Sequence, residues 1–310
     1  MTPYFIRFAN LKGLENAYIG LQIEQDTKER VYVKFDSTGK LISTVNNQKE
    51  TKKNAQKRNI DYICADALHI FQKDPQFRRR ILDRFCSKYD SVYEEKIKIY
   101  DKLLRQKNKY LKQESPDDFY VQTLNKQLVV LANIIVQKRM QCLDLIQNKL
   151  NEKSDLKEKL GIQDVSIDYS CTRLEFNKDD DYEEILLQKL EEDRQKEKIL
   201  GYSLAGPQRD DFDIILGEKS IFSNYSRGIN RCYAILFRLA QIDLLISPST
   251  SQCLLLDDTF AEIDQKNKEL LVTDIRKKYQ VFYATTSTND VSFFQDAQLI
   301  NISQGEIAYV

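Results

Sequence analysis

Two adjacent carboxylates, Asp257 and Asp258, end the apolar run in LLLDDTFAEIDQKNKELL, residues 254–271. An apolar strand closing on paired acids is the Walker B pattern. It carries both side chains to the carboxyl edge of a sheet, where open α/β sheets bind ligands. Asp257 can then hold Mg²⁺, directly or through water, while Asp258 orients or deprotonates an attacking water. The same spelling also fits a buried strand that stops at a helix-capping aspartate. A second group sits upstream in SRGINRCY, residues 226–233. Ser226 and Gly228 at a helix start present a hydroxyl, free N–H groups and the positive end of the helix dipole, with Arg227 beside them. That set binds anions. It also makes an ordinary N-cap.

Other chemistries are excluded by residue supply. His69 is the only histidine, which rules out zinc sites built from several histidines and two-histidine iron triads. The six cysteines are scattered, the nearest two (Cys232 and Cys253) being 21 positions apart, and none forms a C-x-x-C pair. They read as reduced packing residues. The nine glycines form neither G-x-x-x-x-G-K-[ST] nor G-x-G-x-x-G. Gly201 and Gly206 have the first spacing but are followed by Pro207, and Gly39-Lys40 reads as a hairpin turn. The 310 residues therefore contain no recognisable phosphate loop. The longest apolar run, Leu128 to Val136, is too short to span a membrane, so the expectation is a soluble cytoplasmic protein with no membrane segment.

The elements that must position these residues follow from periodicity. Residues 17–47 alternate as strands, and IDYICAD (60–66) reads as a buried strand. From Pro75 the period becomes helical, and one long charged helix is expected to about Gln113, with Tyr93, Ile97, Tyr100, Leu104 and Leu111 at coiled-coil spacing and Lys107 breaking the stripe. Ser115-Pro116-Asp117-Asp118 opens a second helix, and the two should form an antiparallel arm. VSIDYSCTRLEF (165–176) alternates like a strand, and DDDYEEILLQKLEEDRQKEKIL is expected as one more helix. The last hundred residues alternate strand and helix: DFDIILG, the helix from Ser226 to Ile246, QCLLLDD, the helix from Ile263 to Lys278, QVFYATT, and two closing strands. This pattern predicts an α/β fold with a mainly parallel sheet covered by helices. At this length about two domains are expected.

Net charge is zero, with 47 basic and 47 acidic residues, but the charges are unevenly spread. Lys52, Lys53, Lys73, Arg78, Arg79, Arg80 and Arg84 lie in the first third, while acids crowd Asp179 to Asp193. Such asymmetry can place DNA phosphate on one face. It equally fits solvated faces, with Arg78 to Arg80 partly paired to nearby aspartates. No recognition-helix motif is visible, which argues against sequence-specific reading.

Four stretches together resemble the RecF family of ABC-type ATPases, relatives of SMC and Rad50 heads. DPQFRRRILDRF (74–85) is similar to the family's R-R-x-F-L-D segment, and LAGPQRDDF (204–212) to its G-P-H-R-D-D-L, with Gln208 in place of the usual His. YSRGINRCYAILFRLAQIDLL (225–245) resembles the signature helix, with Ile229 in place of the usual Gln. LLLDDTFAEIDQKNKELL resembles the family's L-L-D-D-x-x-[SA]-E-L-D segment. Order and spacing agree from about Ile19 to the C-terminus.

The resemblance implies an ABC-type (SMC/Rad50-like) ATPase head, incomplete at its N-terminus, with an inserted helical arm. It divides the chain into residues 1–70 and 201–310 as the two parts of the head and 71–200 as the arm. It implies a recombination mediator that binds ATP and Mg²⁺, dimerises on ATP, binds DNA at single-stranded/double-stranded junctions, and acts with RecR and RecO. Ser226 and Gly228, with Arg227, become the signature motif that meets the γ-phosphate held by a partner subunit. Asp257 becomes the Mg²⁺ carboxylate, Asp258 the water-activating residue, Asp264 the D-loop acid, and Thr286 part of the switch region. Lys52, Lys53, Arg78, Arg79 and Arg80 are the candidate DNA contacts. Family members begin with a strand and Walker A loop that these residues lack. An internal start, a split gene or a decayed copy would each account for that, and a decayed copy would leave a non-enzymatic DNA- or RecR-binding module.

Overall fold

The computed structural model describes residues 17–24, 28–35, 41–45, 48–49, 60–176, 180–246, 252–286, 294, 297–303 and 306–308. The chain divides into two compact units, Met1–Ile60 with Phe294–Val310, and Asp61–Phe293. The first holds the antiparallel sheet β1 (Ala17–Glu24), β2 (Lys28–Phe35), β3 (Leu41–Val45) and β4 (Gln48–Lys49), in that order. It also holds the hairpin of β11 (Asn301–Ser303) and β12 (Glu306–Ala308).

The second unit begins with β5 (Ile60–Cys64), which shares a sheet of order β10-β9-β5 with β9 (Gln252–Asp257) and β10 (Tyr279–Ala284). β9 and β10 are parallel, as the apolar strands around a covering helix predict. DFDIILG departs from the expected pattern. It forms β7 (Asp211–Leu216), which pairs antiparallel with β6 (Ser166–Ser170) and β8 (Lys219–Ser220) in a separate sheet. A strand's own alternation does not encode its partner.

After the short α1 (Ala65–Leu68), the expected single helix from Pro75 is two: α2 (Pro75–Tyr89) and α3 (Ser91–Leu111). Asp90 divides them, ending α2 in extended conformation and accepting from the Val92 and Tyr93 N–H groups to start α3. α4 (Asp118–Asn151) follows residues 112–117 and packs back along α3. By length and composition α4 passes as a membrane-crossing helix, but here it packs on α3, on α6 (Tyr182–Glu192) and on α9 (Arg227–Leu245). α5 (Ser154–Leu160) ends at Gly161 in the left-handed region. The last predicted arm helix is broken at Asp193 into α6 and α7 (Arg194–Leu200).

Lys107, which interrupts the apolar stripe of α3, is fully buried. Its Nζ lies 2.6 Å from Glu197 Oε2 on α7 and donates to Ser203 Oγ at 3.0 Å. Burial of a cation requires such pairing. The apolar core centres on α9, which is buried on nearly every side and whose Phe237 stacks on Phe212 and meets Phe71 edge-on. The short α8 (Ile221–Asn224) leads into it, and α10 (Gln265–Arg276) packs on β10.

Candidate functional site

β9 buries Leu254 and Leu256 and ends at Asp257, opposite Ala284 of β10. The chain then leaves the sheet sharply. Asp258 donates its N–H to the Ala284 carbonyl at 3.0 Å and takes φ 47°, in the left-handed region, with its side chain exposed. Glu262 repeats this at φ 66°. Each such residue costs about 1–2 kcal/mol and is tolerated most readily by a short polar side chain. Tyr62 on β5 donates its hydroxyl to Asp257 Oδ2 at 2.8 Å, and the buried Thr259 donates to the Ile63 carbonyl at 3.2 Å. The acidic edge is thereby tied across the sheet to a strand almost two hundred positions earlier.

Ser226 is the N-cap of α9, its hydroxyl accepting from the Ile229 N–H at 3.4 Å. The capping reading is therefore realised, and Ser226 and Arg227 remain exposed. Gly228 has a separate reason. A Cβ there would stand 3.0 Å from the Glu262 carbonyl oxygen, so the helix start lies directly on the segment that follows the acidic pair. Arg231, one turn further along α9 and 5% exposed, holds the same segment. It donates to the carbonyls of Asp258 at 2.8 Å and Thr259 at 3.0 Å. Burial draws its guanidinium below the ordinary arginine value, against the pull of Glu262 and Asp258. Asp264 caps α10, accepting from the Asn267 N–H at 3.0 Å, and Thr286 is exposed just beyond β10.

Asp257, Asp258 and Thr286 thus share the ends of β9 and β10, and the helix start at Gly228 is joined to them through Glu262 and Arg231, while Ser226 and Asp264 act as local helix caps. Tyr62, Thr259 and Arg231 were not singled out from the sequence. Arg231 had a legible signal, a lone cation inside the apolar run NRCYAILF. Among the described residues no group of three or more His, Cys, Asp or Glu side chains can hold a metal. A Mg²⁺ ion bound through one carboxylate, phosphate oxygens and water fits the Asp257 edge. The phosphate cradle itself is not supplied by these 310 residues.

The candidate DNA residues are placed differently from expectation. Lys52 and Lys53 lie outside the described residues. Arg78 is buried, its Nε bonded to Asp211 Oδ1 at 2.7 Å and its Nη1 to the Lys73 carbonyl at 2.6 Å. It presents no free charge to a phosphate, which corrects its assignment as a DNA contact. Arg79 is half-buried and donates to the Asp210 carbonyl. Only Arg80 of the three is exposed.

These arginines instead fasten the segment 204–211. The fully buried Arg139 of α4 grips Asp83 through two bonds (2.8 and 3.0 Å) and the Pro207 carbonyl at 2.7 Å, with the Tyr169 hydroxyl at 3.1 Å. Tyr169 donates to Asp210 Oδ2 at 2.8 Å. Burial pushes the Asp210 carboxyl up to about 6, with Arg139 and Tyr169 opposing. Tyr100 bonds Gln208 beside Gly206, where φ is 117° and a Cβ would stand 2.7 Å from the Tyr100 hydroxyl. GPQRDD is a junction between arm and sheet.

No family model matches the chain. It is similar to the DNA replication and repair protein RecF of Geobacillus thermodenitrificans (strain NG80-2), with 32% identity over 262 residues, covering 81% of this chain and 69% of that protein. RecF of Exiguobacterium sp. (strain ATCC BAA-1283 / AT1b) is 31% identical over 271 residues, 81% of this chain and 72% of that one. RecF of Staphylococcus aureus (strain bovine RF122 / ET3-1) is 32% identical, with 80% and 70% coverage. Among solved structures, the recombination mediator protein RecF with ATPrS matches at a TM-score of 0.74 and 19% identity, over 94% of this chain and 80% of that one. RecF with ATP matches at 0.73 and 19%, over 95% and 80%. The fold is that of these RecF structures.

Proposed function

Because the chain belongs to the RecF family, we propose that it is a recombination mediator of DNA repair, working at single-stranded/double-stranded junctions with RecO and RecR partners in the cytoplasm. Its residues 1–70 and 201–310 would serve as head and 71–200 as arm. It carries one half of an ATP-switched dimer site. Asp257 would hold Mg²⁺ and Asp258 would face the attacking water. Ser226, Arg227 and Gly228 would meet the γ-phosphate held by a second subunit, with Asp264 and Thr286 flanking. Mg²⁺, when bound, supplies charge neutralisation on the phosphate oxygens.

The observation that supports this is the grip of the signature helix on the acidic edge. Gly228 rests on the Glu262 carbonyl and Arg231 holds the carbonyls of Asp258 and Thr259, so the helix start and the acidic edge are packed as one unit. A complete site also needs a phosphate cradle, which these 310 residues do not contain. A second reading is that the same fold serves as a DNA- or RecR-binding module without nucleotide.

Calorimetric titration with Mg²⁺ and ATP tests the module reading. The 310-residue chain is expected to bind no nucleotide even at millimolar ATP. Micromolar affinity would overturn that expectation and with it the module reading.

A further inference from the structure

We propose that the outward face of α2, carrying Arg80 and Arg84, together with Lys73 just ahead of its N-cap, is a contact surface for the phosphate backbone of DNA. The proposal rests on the DNA-binding reading above and gives it a location. Lys73, Arg80 and Arg84 are all exposed. Lys73 Nζ stands 5.8 Å and Arg80 Cζ 5.5 Å from the centroid of the Phe77 ring, so one half-buried aromatic gathers two cations around it. Arg84 follows Arg80 by four positions and shares its face, about 6 Å along the axis. Successive phosphates of one strand repeat on a comparable scale.

The acids that would normally neutralise this face are engaged elsewhere. Asp83 is bound by Arg139 and Tyr93, Asp211 by Arg78, and Asp61 by Lys88. Asp74 caps α2, accepting from the Phe77 N–H at 2.8 Å. Among the described residues Arg80 and Arg84 have no carboxylate partner. In a chain whose charges balance overall, two unpaired arginines on one helix face, with an unpaired lysine just ahead of the helix, are a local excess. Exposed guanidinium and ammonium groups of this kind engage phosphate and release counterions. Contacts from such cations go to phosphate oxygens and carry no sequence preference.

The test measures binding of a fluorescent gapped duplex by anisotropy between about 50 and 200 mM salt. The double variant Arg80→Gln with Arg84→Gln should lower the slope of log affinity on log salt by about 2, close to one per lost phosphate contact, at an unchanged melting temperature. A control pair with the same charge loss, Lys102→Gln with Lys126→Gln on exposed positions of the arm, should keep the wild-type slope. An unchanged slope in the first variant, with wild-type binding intact, overturns this surface alone. So does an equal fall in the control, which would mean a general charge effect. A wild-type chain that binds no DNA at the lowest salt overturns the DNA reading and this surface with it.

Discussion

The molecule contains two Asp-Asp pairs next to strands, and they have opposite fates. Asp210-Asp211 opens β7 and is enclosed: Asp211 is gripped by Arg78, and Asp210 lies beneath Tyr169, Cys171 and Arg139. Asp257-Asp258 ends β9 and is open. Asp257 has one hydroxyl from Tyr62, and Asp258 is exposed on a strained backbone. The first pair is compensated by arginines and holds the arm to the sheet. The second is supported through backbone carbonyls, which leaves its carboxylates available. Arg78 and Arg231 mark the contrast, since Arg78 takes the Asp211 carboxylate while Arg231 takes the main-chain carbonyls of Asp258 and Thr259.

The largest expected break in this contrast is Arg139→Ala. It strands the partly exposed Asp83 and removes a cation that opposes the raised Asp210 carboxyl, so the loss should be about 2–3 kcal/mol, less than the ~3–5 kcal/mol of a fully buried uncompensated charge. Urea unfolding followed by circular dichroism should show that loss. A change under about 1 kcal/mol, the scale of an exposed ion pair, would mean that the junction is not a lock.

A pH series probes the same pair. Asp210 is raised from its ordinary value to about 6, so the folded chain holds that proton more tightly than the unfolded one. Its contribution is complete below about pH 4 and is lost as pH rises through 6, an effect on the order of 2–3 kcal/mol. The stability gap between wild type and Asp210→Asn should therefore shift in favour of wild type as pH falls from 7 to 4. A pH-independent gap would show that the carboxyl is not held protonated by burial.

The smallest effect belongs to the open pair. Asp258→Gly removes the left-handed penalty without touching a bond to the side chain, and should be neutral or stabilising by up to about 1 kcal/mol. A destabilisation in thermal melts would mean that the Asp258 carboxylate itself supports the edge.

The two pairs were unequally legible. Asp257 and Asp258 stood out because an apolar run closing on acids is a local pattern, and Gly228 because glycine is scarce. GPQRDD was visible as a motif, but its work depends on Arg139, Asp83 and Tyr169, and the bond from Arg78 to Asp211 spans 133 positions. The break at Asp90 was hidden for the opposite reason. The helical period continues through it, and only the cap geometry of one side chain interrupts the backbone.

The amino-acid order alone determined the types of most elements, the acidic strand end, the capped glycine-bearing helix and the lack of a phosphate loop. Those are consequences of local period, capping chemistry and residue supply. Tertiary structure decided which arginines are structural, which strands share a sheet and which aspartate pair stays open to solvent. Desolvation and Coulomb compensation depend on neighbours that are distant in the chain, and no local pattern contains them.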